Sequence, residues 1–289
     1  MRIDRSRESE NVEDQRGLGP PRRGGLKLGI GGTLVALVAA YFLGIDPRLI
    51  LGLMQAGSQV TGGAGGAPQE VAPGTPTDAG GKFVAAVLGD TEDTWGELFS
   101  AGGAKYVPPH LVLFSEATQS GCGAASSGAG PFYCPADRKV YIDLAFYDEL
   151  EQRFQAPGDF AKAYVLAHEV GHHVQTLLGT SDKVRAAQER GGEEQSNALQ
   201  VRMELQADCY AGIWANHANR SRQILEAGDV EEALGAAAAV GDDTLQKRMQ
   251  GYVVPESFTH GSAQQRMQWF KRGLDAGTLE ACDTFASRG

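Results

Sequence analysis

No two of the four cysteines stand in a C-x-x-C spacing, which argues against a structural zinc site built from thiolates. Positive charge is short as well. With 26 Lys and Arg against 36 Asp and Glu the chain carries −10. Nucleic-acid binding needs clustered cations to neutralise phosphates, so that class is set aside. No internal repeat is found. Histidine is scarce, six in 289 residues, yet three fall in "AHEVGHHVQ", residues 167–175, with a glutamate directly after the first.

The chain divides by composition. Residues 1–25 are mixed in charge, with Pro20 and Pro21 and few apolar residues, and are expected to form a disordered cytoplasmic tail. Residues 28–45, "LGIGGTLVALVAAYFLGI", carry no charge over 18 positions, the lower end of a membrane span. Arg16, Arg22, Arg23 and Lys27 precede them, and the positive-inside rule would keep that flank in the cytoplasm. The expectation is an uncleaved single-pass anchor over 26–46, with the rest of the chain outside the cell membrane. A cleaved signal peptide is the rival, but its positive region would be unusually long. Residues 47–81 read as a flexible Gly/Pro-rich linker. Residues 82–289 are one domain, large enough to bury a core without a metal or disulfides to hold it.

Within that domain the periodicity predicts an α+β fold, a small sheet followed by a helical body. Phe83, Val84, Val87, Leu88, Trp95, Leu98 and Phe99 recur at helical spacing. "HLVLFS" (110–115) and the alternating "KVYIDLAFY" (139–147) read as strands, with a Gly/Ser-rich loop between them. Helices are expected over 159–178, with Gly179 as the stop, and over 196–219, with Ser196 as a possible cap. Further helices are expected over 229–240, 242–250 and 261–275.

Cys122, Cys134, Cys209 and Cys282 allow three pairings. Joining Cys122 to Cys134 closes a short Gly/Ser-rich loop and leaves Cys209 for Cys282. The alternative is four reduced, buried thiols. An oxidising compartment outside the membrane would favour two disulfides.

The chemistry concentrates at His168, Glu169 and His172. Positions i and i+4 share a helix face, so both imidazoles can reach one Zn²⁺. Glu169, about 100° around, can sit beside the metal and act as general base. Small Gly171 leaves room for another element to approach. His173 lies off the ligand face and is expected to be packed or hydrogen-bonded. A catalytic zinc needs a third ligand and an open position. "MELQAD" offers Glu204 as that ligand, with Asp208 one turn on to orient a ligand histidine. The plainer reading makes both solvated helix carboxylates. His110 is expected at the surface and His217 near a helix end, where a cation suits the dipole. His260 is read either as a stabiliser of the oxyanion or as a loop residue beside a cap at Thr259 or Ser262.

On these residues the chain resembles a bacterial family described as "putative neutral zinc metallopeptidase", membrane-tethered proteins with a gluzincin-like H-E-x-x-H core. The stretches that carry the resemblance are "GCGAASSGAGPFYCPADRKVYIDLAFYDEL", "YVLAHEVGHHVQ", "ELQADCYAGIWA" and "FTHGSAQQRMQWFKRG", spread over residues 82–289. The resemblance implies His168, His172 and Glu204 as metal ligands, Glu169 as general base and a zincin fold. The segment with His260 and Arg266 also resembles the one that follows the ligands in zincins of the CAAX-protease type, which implies a supporting role for His260.

The leading expectation is a membrane-anchored zinc endopeptidase with one Zn²⁺ per chain, acting on a peptide or protein substrate that could pair with a strand edge at 139–147. Two other classes stand beside it. One is a non-proteolytic zinc-containing binding protein at the membrane; the retained base Glu169 speaks against it. The other is a cell-wall peptide hydrolase, which the ligand set does not distinguish.

Overall fold

The apolar run and the alternating run predicted as strands lie side by side and parallel. They form β2 (His110–Phe114) and β6 (Lys139–Asp143), at the centre of a four-stranded sheet. The computed structural model describes residues 1–3, 6–17 and 76–286. The sheet is completed by β1 (Val12–Asp14), parallel to β2, and β5 (Phe132–Cys134), antiparallel to β6, in the order β1-β2-β6-β5. One face of β2 and β6 presents Leu111, Leu113, Val140 and Ile142 to the main core. The other presents Val112, Phe114 and Tyr141 to a smaller cluster with Cys134 and Phe132, as a period of two requires. The loop expected between the strands contains a hairpin of its own, β3 (Ala117–Ser120) with β4 (Gly123–Ser126). The latter half of the run read as one strand turns into a helix, α2 (Ala145–Gln152). β6 is therefore an interior strand, and the 139–147 edge considered for substrate pairing is not an edge.

Helix α1 (Ala79–Ala101) lies between β1 and β2 in the chain, and α3 (Asp159–Leu177), α4 (Thr180–Gln188), α5 (Glu193–Arg222), α6 (Asp229–Ala239), α7 (Asp242–Gln250) and α8 (Ala263–Ala276) follow the sheet. The described molecule is thus α+β, mostly helical with a small sheet. Gly179 ends α3 at φ 74°, the left-handed conformation a stop requires. Ser196 is not a cap. Glu193 and Glu194 already stand in the first turn of α5, where their charge suits the positive end of the helix. Trp95, Trp214 and Phe160 fill the core between α1, α3 and α5, the last two stacked at 5.8 Å. Asp90, fully buried on α1, accepts from Trp214 Nε1 at 2.8 Å and from Arg222 Nε at 2.6 Å, so its charge is paired. At the crossing of α5 and α8 the backbones nearly touch: a Cβ on Gly273 would stand 1.9 Å from the Cys209 carbonyl oxygen.

Cys122 is bonded to Cys134, tying the hairpin to β5, and Cys209 to Cys282, tying α5 to the C-terminal turn Leu279–Cys282. These are the pairs that the short loop and its remainder suggested. Their sequence separations are 12 and 73. By loop entropy, replacing Cys209 and Cys282 by serine is expected to cost about 4 kcal/mol, and the Cys122–Cys134 pair about 3 kcal/mol. Urea unfolding midpoints of the two double variants check the order; equal loss from both, or none, would sink it.

The amino-terminal expectations need correction. Far from a disordered tail, the segment adds β1 to the sheet. Val12 is fully buried, Leu111 N donates to Asn11 O at 2.8 Å, and Ser9 N donates to Ala85 O at 2.9 Å. A three-residue strand among charged neighbours has no apolar run to announce it. The single-pass anchor over 26–46, and with it the membrane partner and the extracytoplasmic location, is also overturned. Residues 26–46 lie outside the described residues, and no helix among those described is long and apolar enough to cross a membrane. The described flanks add a physical reason. A single crossing would put residues 1–25 and 82–289 on opposite sides. Instead β1 pairs with β2, and Arg16, counted in the positive flank, bridges Asp14 and Asp78.

Candidate metal centre

Helix α3 carries Tyr164, His168 and His172 on one face at successive i+4 positions, and α5 crosses it with Glu204 and Asp208. Gly171 makes the crossing close. A Cβ there would stand 2.9 Å from the Ala207 carbonyl oxygen, and that approach brings the facing side chains within bonding range. His168 Nε2 lies 3.2 Å from Glu204 Oε2, and His172 Nε2 lies 3.6 Å from Glu204 Oε1. One ligand atom from each of His168, His172 and Glu204 falls within 4.8 Å of the others. Tetrahedral zinc with bonds of roughly 2.0–2.1 Å separates its ligand atoms by about 3.3 Å, so the donor set fits the ion.

The protons fit too. His168 Nδ1 stands 2.8 Å from Asp208 Oδ1, a carboxylate oxygen that only accepts, so Nδ1 carries the hydrogen. His172 Nδ1 is engaged by Gln175 Oε1 at 2.9 Å. Both Nε2 atoms thereby face Glu204, and a metal that displaced their protons would meet two lone pairs there. Asp208, fully buried, is held by Arg266 through Nε at 2.8 Å and Nη2 at 2.9 Å, and by the Tyr164 hydroxyl. Gln200 Nε2 donates to Glu204 Oε1 at 2.9 Å. With neutral imidazoles, Glu169, Glu204 and Asp208 against Arg266 leave two negative charges in surplus, the charge a dication cancels.

The titration of these groups reflects that surplus. Burial pushes His168 down, but Asp208 and Glu204 outweigh it and hold it up at about 9. Burial likewise opposes the ionised Glu204, yet His172 and His168 hold it well below the ordinary carboxylate range. Glu169 goes the other way. Burial raises its pKa, and the nearby histidines only partly offset that. It is 8 % exposed and makes no hydrogen bond or ion pair among the described residues.

His168, Glu169, His172, Glu204 and Asp208, singled out from spacing, are thus brought together. His173 points away from them. It donates from Nε2 to Val107 O at 2.7 Å and accepts at Nδ1 from the Tyr133 hydroxyl at 3.1 Å, and burial lowers it to about 4. His110 pairs with Glu13 at 3.4 Å near the surface, and His217 bonds Gly277 O at 2.8 Å. His260 stands before α8 on a loop that Asp242 holds through the backbone N–H groups of Thr259, His260 and Gly261. Its Nδ1 is 3.2 Å from Asp242 Oδ1, and its charge couples to Glu204, though no direct bond joins the two. Ser262 is the cap of α8, with a capping box to Gln265.

Sequence reasoning missed Gln175, Gln200, Tyr164, Asp242 and Tyr147, and gave Arg266 no role. Three of them stand at i+3 or i−4 from a ligand candidate, a signal that was readable. Tyr147 was not readable: its ring is buried on α2 and its hydroxyl has no hydrogen-bond partner among the described residues. Burial first, and the Glu169 charge second, raise its pKa.

A family model described as "Putative neutral zinc metallopeptidase" matches residues 1–285, the amino-terminal segment included. "Uncharacterized protein YpfJ" of Escherichia coli K12 is 50% identical over 295 residues, covering 99% of each chain. "Uncharacterized protein Rv2575" of Mycobacterium tuberculosis H37Rv is 45% identical over 192 residues, 63% of this chain and 64% of its own. No solved structure matches the chain.

Proposed function

The chain belongs to the family described as neutral zinc metallopeptidases, and from that premise we propose that it is a zinc-dependent endopeptidase of zincin type, with one ion per chain held by His168, His172 and Glu204. The observation that carries the reading is the convergence of three ligand atoms whose two imidazoles are already turned, by their Nδ1 hydrogen bonds, to offer Nε2. Zinc at this position would polarise the scissile carbonyl and bring the pKa of its water towards about 7. Glu169, one residue past the first ligand and without a hydrogen bond among the described residues, takes a proton from the attacking water and passes it to the leaving amine. Its raised pKa suits both halves of that transfer. Asp208 and Arg266 fix the His168 ring. His260, oriented by Asp242, offers a donor to the oxyanion that develops on the substrate carbonyl. The non-proteolytic reading has no use for an unpartnered, buried carboxylate at Glu169.

The test is metal content together with casein cleavage by the full chain. We expect one zinc per chain, activity lost on chelation and restored by zinc. Glu204→Ala is expected to abolish both metal and cleavage, because two neutral imidazoles alone hold the ion weakly. Folded wild-type protein that takes up no zinc would remove the reading. Zinc uptake without cleavage of casein or of a peptide library would turn it towards a binding protein.

A further inference from the structure

His172 does not stop at Gln175. Gln175 is fully buried. Its Nε2 donates to Met203 O at 2.8 Å and to Gln206 Oε1 at 3.1 Å. Gln206, also buried, donates from its own Nε2 to Cys282 O at 3.0 Å. A line of hydrogen bonds therefore runs from the imidazole through two amides to a main-chain carbonyl in the C-terminal turn, beside the Cys209–Cys282 disulfide.

The polarity of such a line is set by its far end. A carbonyl oxygen can only accept, so Cys282 O requires the amide nitrogen of Gln206 to face it. The Gln206 oxygen must then face Gln175, which answers with its nitrogen. Met203 O, a second pure acceptor, demands the same orientation. The Gln175 oxygen is left for His172, whose Nδ1 must carry the proton. No member can turn over without setting two acceptors or two donors against each other inside the core, at roughly 1–3 kcal/mol for each group left unsatisfied.

We propose that Gln175 and Gln206 form a relay, anchored on the Cys282 carbonyl, that locks His172 in its Nδ1–H tautomer and so presents Nε2 to the metal. Gln175 and Gln206 are positioning residues. They touch neither the ion nor the substrate, and act through the ring they orient. The C-terminal turn thereby takes part in the metal centre: the disulfide that ties it to α5 fixes the carbonyl from which the proton order is read. His168 obtains the same tautomer from a carboxylate. His172 obtains it from neutral amides, which add no further negative charge to a centre already in surplus.

The inference rests on His172 serving as a ligand, and its test separates the two claims. Full-length Gln175→Met and Gln206→Met keep side-chain length and remove polarity, and Gln175→Glu, neutral in this buried position, keeps an acceptor for Nδ1–H and one O–H donor towards Met203 O. In zinc-free protein, above the imidazole titration range, two-bond ¹H–¹⁵N spectra report the tautomer directly. We expect Nδ1–H in wild type and in Gln175→Glu, and a mixture in both methionine variants. Zinc affinity, read by competition with a chelating dye, is expected to fall by about 10–100-fold in Gln175→Met, less in Gln206→Met and least in Gln175→Glu. Loss of packing alone would lower the melting temperature of the methionine variants and leave the tautomer unchanged, which would overturn the proposal. So would zinc affinities within about twofold of wild type. Wild type without zinc affinity but with His172 fixed as Nδ1–H would sink the peptidase reading and leave the relay standing.

Discussion

Glu169→Gln is expected to lower kcat/KM for peptide cleavage by roughly 10²–10⁴-fold, the usual contribution of a positioned general base. That corresponds to about 3–5 kcal/mol of transition-state stabilisation. Zinc content should stay at one per chain, because Glu169 contributes no atom to the group formed by His168, His172 and Glu204. The fold should not suffer either. Glutamine has the same shape, and it replaces a carboxylate whose charge burial opposes and which no hydrogen bond compensates. Burial, which the attraction of His168 and His172 only partly offsets, disfavours the charge that the substitution removes, so the melting temperature is expected to hold or rise slightly. The combination is what separates a base from a structural residue: a stable, metal-loaded, inactive protein. Cleavage by the glutamine variant at more than about a tenth of the wild-type rate would remove Glu169 from the mechanism.

The candidate centre was legible because helix geometry turns spacing into proximity. His168 and His172 at i+4, and Glu204 and Asp208 at i+4, each define one face of one helix. That the two faces meet was not written in either spacing; Gly171, small enough for α5 to pass at contact distance, was the residue that hinted at it. What stayed hidden depends on long-range contact. Asp242 is an ordinary acidic first-turn residue until the 259–261 loop folds onto it. Gln206 is an unremarked polar position until Cys282 arrives from 76 residues away. The helices read from periodicity agree with those of the structure to within a few residues, whereas the short strands β1 and β5, three residues each, carry too little pattern to be seen. The error over residues 26–46 has a related origin. Hydropathy describes a segment in isolation, whereas a single crossing is opposed by what its flanks touch, β1 on β2 and Arg16 on Asp78.

That error leads to the second large effect. A chain started at Lys82, the domain boundary composition suggests, is expected to lose most of its stability. It would lack β1, whose Val12 is fully buried, and Ile3, 8 % exposed; each such side chain contributes about 1.5–3 kcal/mol. The β2 backbone would lose its bonds with Asn11 and Gln15. Glu92, 7 % exposed on α1, would lose Arg7 at 2.7 Å, Ser9 at 2.6 Å and Asn11 at 2.8 Å. Stripping the partners from a buried charge costs about 3–5 kcal/mol on its own. Against a net stability of roughly 5–15 kcal/mol for a domain, these losses are comparable to the whole. The truncated chain should therefore melt more than ~10 °C below the full one, or fail to accumulate in folded form. Because truncation also removes the cap and first turn of α1, the full-length Val12→Asp variant is the cleaner companion: it puts a lone carboxylate in the core and should lower the melting temperature by a similar amount. A synthetic peptide of residues 1–17 added to the truncated chain should raise its melting temperature in proportion to its binding. Unchanged stability in both variants would mean that the amino-terminal segment merely rests on the sheet, and would reopen where this domain begins.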